Sequence, residues 1–454
     1  MSDTWLLPQL AQFADRTAII RQDESCTYGE LLERVAAWHK VLEEHGIPSG
    51  CSVAFLGGFS PATVSLLLAI ATSGKVAVPL TTAVASERER CLNIAAVEWL
   101  FGFEHAETWS LTPRPAVEAP PLLKEFRRSG EAGLILFSSG STGEVKAALH
   151  SFPRLTTVYR SARNPAYRTL AFLTLDHIGG LNTLLRILVG GGTVITPRER
   201  TPEAVCAAIE RHRVQLLPTT PTFLRMLLIS EVYQRFDLSS LELITYGTEP
   251  MPEATLEALH GALPGVRLKQ TYGLTEVGIL PTKSAGDDTL WMAVGGKGYE
   301  TKIVDGVLWI RSPSSMLGYL NAPSPFDAEG WLNTGDLVEQ KGEYIRILGR
   351  ASEIINVAGE KVFPAEVENV IQQVENIKEA AVRGRSNPIT GNILVAAVEL
   401  FQPEDPDAVE RRVREFCRRR LAPYKVPAMV EVVDGSLCGG RMKKLRKPPP
   451  KNTL

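Results

Sequence analysis

The feature that most narrows the fold is a rhythm of apolar runs and amphipathic stretches between residues 16 and 80. Thr17 to Ile20 reads as a strand and Tyr28 to Glu44 as an amphipathic helix. Ser52 to Leu56 reads as a strand, and Pro61 to Ser73 as a helix leading into a strand over Val76 to Pro79. Alternation of this kind implies βαβ units and a buried parallel sheet. A second series follows, with strands at Thr169 to Thr174, Thr193 to Ile195, Gln215 to Pro218, Leu241 to Tyr246 and Val266 to Gln270. Helices at Gly180 to Leu188, Pro202 to His212, Phe223 to Ser230 and Pro252 to Leu263 separate them. Two similar α/β subdomains side by side are the simplest account.

From Gly295 the texture changes to short strands with glycine turns (Thr301 to Val304, Val307 to Ile310, Tyr344 to Leu348), which predicts a small β-rich module. Past Gly349-Arg350 come a helix (Pro364 to Gln373), strands (Ala380 to Val382, Ile393 to Glu399) and an arginine-rich helix (Asp407 to Leu421). That predicts a compact α+β unit of ordinary small-domain size. The expected fold class is therefore α/β, with an N-terminal domain over 1–350 and a small α+β domain over 351–454. At 454 residues the chain is long enough for two or three cores.

A net charge of -2 gives no reason to make nucleic acid or a membrane surface the main partner. The apolar run near Ala62 to Thr72 is too short to span a bilayer, and the first residues lack a secretory signal. Six scattered cysteines with no C-x-x-C pair read as reduced and structural, which fits a cytoplasmic protein.

Chemistry enters at Leu134 to His150, LILFSSGSTGEVKAALH, where an apolar strand feeds a loop of Ser138, Ser139, Gly140, Ser141, Thr142 and Gly143, followed by Lys146. Glycines let backbone N–H groups face an anion, hydroxyls add donors, and the lysine adds a movable charge. The result is a polyphosphate cradle or a Ser/Gly-rich surface turn. It is not a Walker loop, because Val145 separates Lys146 from the glycine. In QTYGLTEVG, Tyr272 offers an aromatic face, Thr275 a hydroxyl and Glu276 a carboxylate for Mg²⁺. Asp336 follows a turn and can accept ribose hydroxyls, and Arg350 stands at the expected boundary.

Taken together, SSGSTGEVK, YGTEP, TYGLTE, NTGDL and GRASEIINVAGEKVFPAEVE resemble, in order, five motifs of the ANL superfamily of adenylate-forming enzymes. This superfamily includes acyl-CoA synthetases, peptide-synthetase adenylation domains and luciferases. The resemblance implies that a carboxylate attacks the α-phosphorus of MgATP, expelling pyrophosphate, and that a thiol then displaces AMP. It implies that Ser138 to Gly143 and Lys146 embrace pyrophosphate. Gly247, Thr248 and Glu249 with Tyr272 and Gly273 would surround adenine. Thr275, Glu276 and Thr142 would serve the α-phosphate and Mg²⁺, while Asp336 and Arg350 grip ribose. Ser352 matches the hinge residue, about which the resemblance implies that the 351–454 domain is mobile, and Gly359 falls at the thiol tunnel.

The adenylating lysine departs from the family pattern. The matching region reads CGGRMKKLRK, so Lys443 is expected in that role with Lys444 or Arg441 as alternatives, against a solvated basic tail. Asp176 and His177, with Gly247 and Gly273, are expected at the acid pocket. Asp176 would recognise an amine or cap the Gly179-Gly180 turn, and His177 would close the pocket or serve the fold. Arg411, Arg412, Arg414 and Arg418 to Arg420 would meet the phosphates of CoA or an acidic carrier protein, or form a solvated face. The expected function is an AMP-forming aryl or short-to-medium acyl acid:CoA ligase using ATP, Mg²⁺ and CoA, compact like o-succinylbenzoyl-CoA synthetases. The alternatives are an adenylation enzyme loading a carrier-protein pantetheine and a degenerate nucleotide-binding protein. Oligomeric state stays open, a homodimer included.

Overall fold

The computed structural model describes residues 5–22, 24–81, 84–103, 108–139, 144–161, 165–387 and 391–437, with only the backbone of Ser139 and Ser161. At its centre lies the helix Pro61–Thr72, buried from Pro61 to Ala71. A helix with no polar face must be covered on every side. Its side chains join one core with the helices Tyr28–Glu44 and Ile178–Val189 and with strand residues Val53, Phe55, Leu134, Ile19 and Val194. The polar side chains of this helix and its cap are satisfied. Ser60 and Thr63 form a capping box, and the Ser65 hydroxyl donates to the Pro61 carbonyl at 2.7 Å while accepting the Trp38 indole N–H at 3.1 Å.

Two seven-stranded sheets flank this core. In the first, Ser52–Leu56, Val76–Leu80, Trp99–Phe103 and Gly133–Ser139 pair in parallel, with antiparallel strands completing both edges. The second runs in the order Arg267–Gln270, Leu243–Tyr246, Leu216–Thr219, Arg168–Leu170, Thr193–Thr196, Thr17–Arg21, Glu24–Thr27. Here the sequence expectation needs correcting. Thr17–Arg21 joins the second sheet, pairing Ile19 with Val194, instead of the series it precedes in the chain. The Tyr28 hydroxyl donates toward the carbonyls of Gly192, at 2.7 Å, and Leu188, at 3.1 Å, and so fixes the start of the following helix to the second series.

The serine-rich loop joins two antiparallel strands, Gly133–Ser139 and Val145–Ser151, so the chain returns directly upon itself after the loop. Near the end of the return strand, His150 is fully buried opposite Leu134. Neither of its ring nitrogens makes a hydrogen bond among the described residues; the Thr275 backbone faces the ring without closing one of normal geometry. Burial holds His150 down from 6.5 to about 4.

A six-stranded antiparallel sheet forms the β-rich module and ends with Tyr344–Arg350. A single exposed turn, Ala351–Glu353, leads to the hairpin Ile355–Val357/Glu360–Val362. Helices Pro364–Ile371 and Pro406–Arg418 then pack on a three-stranded sheet. Arg225, on the helix Pro221–Ser230, crosses to this last unit. Its guanidinium donates to the carbonyls of Lys378, of Ile377 at 3.1 Å and of Gln372 at 3.3 Å, and lies 3.5 Å from the Glu379 carboxylate. The pair is nearly dry, at 11% and 5% exposure.

Removing one member of a buried pair costs about 3 kcal/mol or more. Arg225→Ala should therefore speed amide hydrogen exchange across residues 372–379, and unchanged exchange there would contradict the contact. For His150 the native state binds fewer protons than the unfolded chain between the two pKa values. Stability present above pH 6.5 should thus be lost as pH falls toward 4, by about 3 kcal/mol at 1.36 kcal/mol per unit. Denaturant titrations across this range should show a flatter profile for His150→Gln; an identical slope would mean that another group carries the acid sensitivity.

Candidate active site

A cleft of about 610 Å³ opens where the two α/β halves meet the β-rich module. Ser138 and Lys146 line it from the hairpin strands, directly opposite each other in register. Gly140, Ser141, Thr142 and Gly143 lie outside the described residues, and Ser139 is placed by its backbone pairing with Val145.

Gly247 and Thr248 form another wall. A Cβ on Gly247 would meet the Thr271 carbonyl oxygen at 2.6 Å, and Thr248 holds a left-handed φ of +73°, a strained turn for a β-branched residue. Gly273 stands in the tight hairpin of Tyr272–Leu274 with Gly278–Leu280, where a Cβ would meet the Gly278 carbonyl oxygen at 2.6 Å. Thr275 and Glu276 follow on the same wall. Glu276 accepts a hydrogen bond from the Tyr319 hydroxyl, and the Lys146 ammonium lies 5.2 Å from the centre of the Tyr319 ring.

Asp336 sits just behind the wall formed by Asn333, Thr334 and Arg350. It is 6% exposed and carries two partners, the Tyr272 hydroxyl on one oxygen and Arg350 Nε at 3.1 Å on the other. Asp336 and Arg350 are cross-strand neighbours, so backbone pairing aligns the ions. Burial raises the Asp336 carboxyl above its ordinary range, while Arg350 and the Tyr272 hydroxyl work against that rise.

Three residues stand elsewhere than expected. Tyr272 packs in the core of the β-rich module and is absent from the cleft wall, because its hydroxyl is drawn to Asp336. Glu249 turns away to accept the Thr222 N–H at 2.8 Å, near the start of the helix Pro221–Ser230. Asp176 is buried off the wall, where it accepts the Thr81 hydroxyl at 2.7 Å; burial lowers the Arg200 pKa and the Asp176 carboxylate opposes that. His177, not Asp176, caps the helix Ile178–Val189. Its Nδ1 accepts the Gly179 N–H at 3.0 Å, which leaves the proton on Nε2, and the ring also lines the cleft. The two readings of His177 are thus compatible.

Ser352 occupies the exposed turn Ala351–Glu353. Gly359, at φ +88°, and Ala358, at φ +51°, make the two-residue turn of the next hairpin, and neither lines the cleft. Arg441, Lys443 and Lys444 lie outside the described residues. On the arginine-rich helix, Arg414 pairs with Glu410, Arg419 with Glu415, Arg412 with Glu404, and Arg420 lies over Phe416. Sequence reasoning missed Tyr319 and Asn321, because Gly-Tyr-x-Asn carries no readable chemistry until the strand Gly318–Tyr319 is seen beside Val145–Ser151.

The donor set fits a nucleotide triphosphate with its cation. Lys146 and Arg350 supply positive charge, seven threonines and a serine supply hydroxyls, and Glu276 is the one carboxylate on the described wall. No group of three or more metal-ligating side chains occurs among the described residues. The single wall carboxylate, Glu276, suits Mg²⁺, which is ordinarily held by one or two carboxylates plus phosphate oxygens. Among the described residues no helix is long and apolar enough to cross a membrane.

Comparison with known proteins agrees with this geometry. The AMP-binding enzyme family model matches residues 7–320, and the AMP-binding enzyme C-terminal domain matches 366–437. An indoleacetate–CoA ligase of Aromatoleum aromaticum is 30% identical over 92% of this chain and 91% of its own. A feruloyl-CoA synthase of an Amycolatopsis species is 30% identical over 95% and 94%. Among solved structures, an anthranilate CoA ligase in complex with anthranoyl-AMP shares the fold at TM-score 0.83 and 22% identity, over 98% of both chains. The chain belongs to the AMP-binding enzyme family, within the adenylate-forming superfamily that its motifs resemble.

Proposed function

We propose that the protein is an AMP-forming acid:CoA ligase acting on an acid whose body is uncharged and, by its relatives, aryl. The observation that carries this is the sorting of charge in the cleft. Lys146, Glu276 and Arg350 sit with the phosphate- and ribose-side motifs, whereas Leu173, Ile178, Asn182, Thr183, Thr219 and Ile279 line the remainder without a formal charge. An amine or a second carboxylate would be left unpaired against such a wall. Asp176, which would answer an amine, is engaged with Thr81 behind it. No observation favours a carrier protein over CoA; three of the six arginines on and just after the last helix, Arg412, Arg414 and Arg419, are paired with neighbouring acids.

The first step forms a bond between a carboxylate oxygen and the α-phosphorus of ATP and breaks the bond to pyrophosphate. In the second, a CoA thiolate attacks the acyl carbon and AMP leaves. The first barrier is electrostatic, because two anions must approach, so fixed cations and N–H donors aimed at the phosphates supply most of the acceleration. Ser138 to Gly143 and Lys146 take the departing pyrophosphate, with Lys443 as the adenylating cation. Gly247, Thr248 and Gly273 shape the nucleotide wall, Thr275 serves the α-phosphate, and Asp336 with Arg350 holds ribose. Glu276 with Thr142 would hold Mg²⁺, which when bound offsets phosphate charge. His177 and Gly273 border the acid. The C-terminal unit begins after Arg350 and turns about Ser352, bringing Gly359 toward the thiol path for the second step.

Acid-dependent exchange of labelled pyrophosphate into ATP tests the proposal. Neutral aryl monocarboxylates should support exchange and dicarboxylates or amino acids should not; no exchange across a broad acid panel would refute it. Asp336→Ala should weaken ATP binding about tenfold, given roughly 1.5–3 kcal/mol for hydrogen bonds to a charged group. Unchanged ATP affinity would refute the ribose role. Lys443→Ala should abolish adenylation yet spare thioester formation from supplied acyl-adenylate, and equal loss of both would place the cation elsewhere.

A further inference from the structure

Residues 316–321 tie together the two charged walls of the cleft. The Met316 N–H donates to the Glu276 carbonyl at 2.8 Å, securing the loop that carries Glu276. The next residues run along the strand Val145–Ser151. Leu317 N–H donates to the Leu149 carbonyl at 2.8 Å and Leu320 N–H to the Ala147 carbonyl at 2.9 Å, with Tyr319 opposite Ala148. Asn321 completes the seam, its Oδ1 accepting the Ala147 N–H at 3.0 Å and its Nδ2 donating to the Val145 carbonyl at 2.8 Å. Lys146 is thereby bracketed on both sides by its own backbone neighbours.

From the middle of this brace, Tyr319 touches both charged side chains. Its hydroxyl donates to Glu276 Oε1, and its ring faces the Lys146 ammonium at 5.2 Å. The hydroxyl fixes one carboxylate oxygen and leaves the other available to a cation. The ring face attracts the ammonium without occupying its N–H donors with a competing anion. Neither contact is required by the strand pairing, which is made by backbone groups and Asn321. Tyr319 itself is 9% exposed and lines the cleft. Burial and the Glu276 carboxylate both raise its pKa, so the hydroxyl remains a donor.

We infer that Tyr319 is a positioning residue for adenylation: it holds Glu276 and Lys146 in fixed relation across the cleft, so that the magnesium and the phosphates of ATP meet a preset pair of opposite charges. The inference rests on the reading of Glu276 as the metal carboxylate and Lys146 as a phosphate group. Once the phenol is removed, each side chain must be ordered by the ligand itself, and the cost falls on binding.

Calorimetric titration of ATP, with and without Mg²⁺, into the wild type, Tyr319→Phe, Tyr319→Leu and Glu276→Gln separates the two layers. Tyr319→Phe should lose about tenfold of the magnesium enhancement, as expected for one hydrogen bond to a charged group, with magnesium-free affinity unchanged. Tyr319→Leu should in addition weaken magnesium-free ATP about threefold, through Lys146. Full enhancement in Tyr319→Phe, with enhancement lost in Glu276→Gln, would overturn the role of Tyr319 alone. Equal weakening of Tyr319→Phe with and without Mg²⁺ would mark a merely structural side chain and would overturn it as well. Enhancement retained by Glu276→Gln would overturn the metal reading beneath it, and the inference with it.

Discussion

The site depends on one strand pairing, the antiparallel return of Val145–Ser151 along Gly133–Ser139, which sets Ser138 opposite Lys146. Many anion sites use a helix N-terminus, where several N–H groups and the helix dipole act together. Here the residues described after the serine-rich loop form the strand Val145–Ser151, and a lysine on that strand supplies positive charge beside the loop, with Arg350 also lining the cleft. A long side chain on an exposed edge would wander, and the segment Gly318–Tyr319 with Asn321 covers that edge. The same strand continues to His150, whose neutrality keeps a second charge out of the core behind Thr275.

A second constraint is the handling of carboxylates. Asp336, Glu276 and Glu379 are each held by a phenol or a guanidinium: Tyr272 with Arg350, Tyr319, and Arg225. Bare carboxylates in such half-dry surroundings would protonate or repel phosphate. With partners in place they become fixed acceptors. The buried Asp336 also pairs across strands with the half-exposed Arg350, which ends the last strand before the exposed turn at Ser352, so a pivot there would move against a base tied by this ion pair.

How far the sequence reached depended on how local the signal was. The helices Tyr28–Glu44 and Pro202–His212 formed over the expected residues because amphipathic spacing and first-turn caps are local. The strand Thr17–Arg21 went to the unexpected sheet because partner choice is set by packing at long range, through Tyr28 and Gly192. Within the site, Ser138, Lys146, Gly247, Thr248, Gly273, Thr275, Glu276 and Arg350 share one cleft, and their motifs were legible as glycine turns carrying polar groups. Side-chain direction was not legible. Glu249 and Asp176 satisfy nearby backbone or hydroxyl groups, and nothing in YGTEP or LDHIGG says which way a short acid will turn. Tyr319 and Arg225 were invisible for a related reason: each acts on residues distant in the chain.

The central claim, that an acid oxygen attacks the α-phosphorus of ATP, can be tested by following the oxygen itself. With a neutral aryl acid labelled by ¹⁸O in its carboxylate, turnover with ATP and CoA should leave one ¹⁸O atom in the phosphate of AMP. Label in inorganic phosphate, accompanied by ADP, would show attack on the γ-phosphorus and contradict the account.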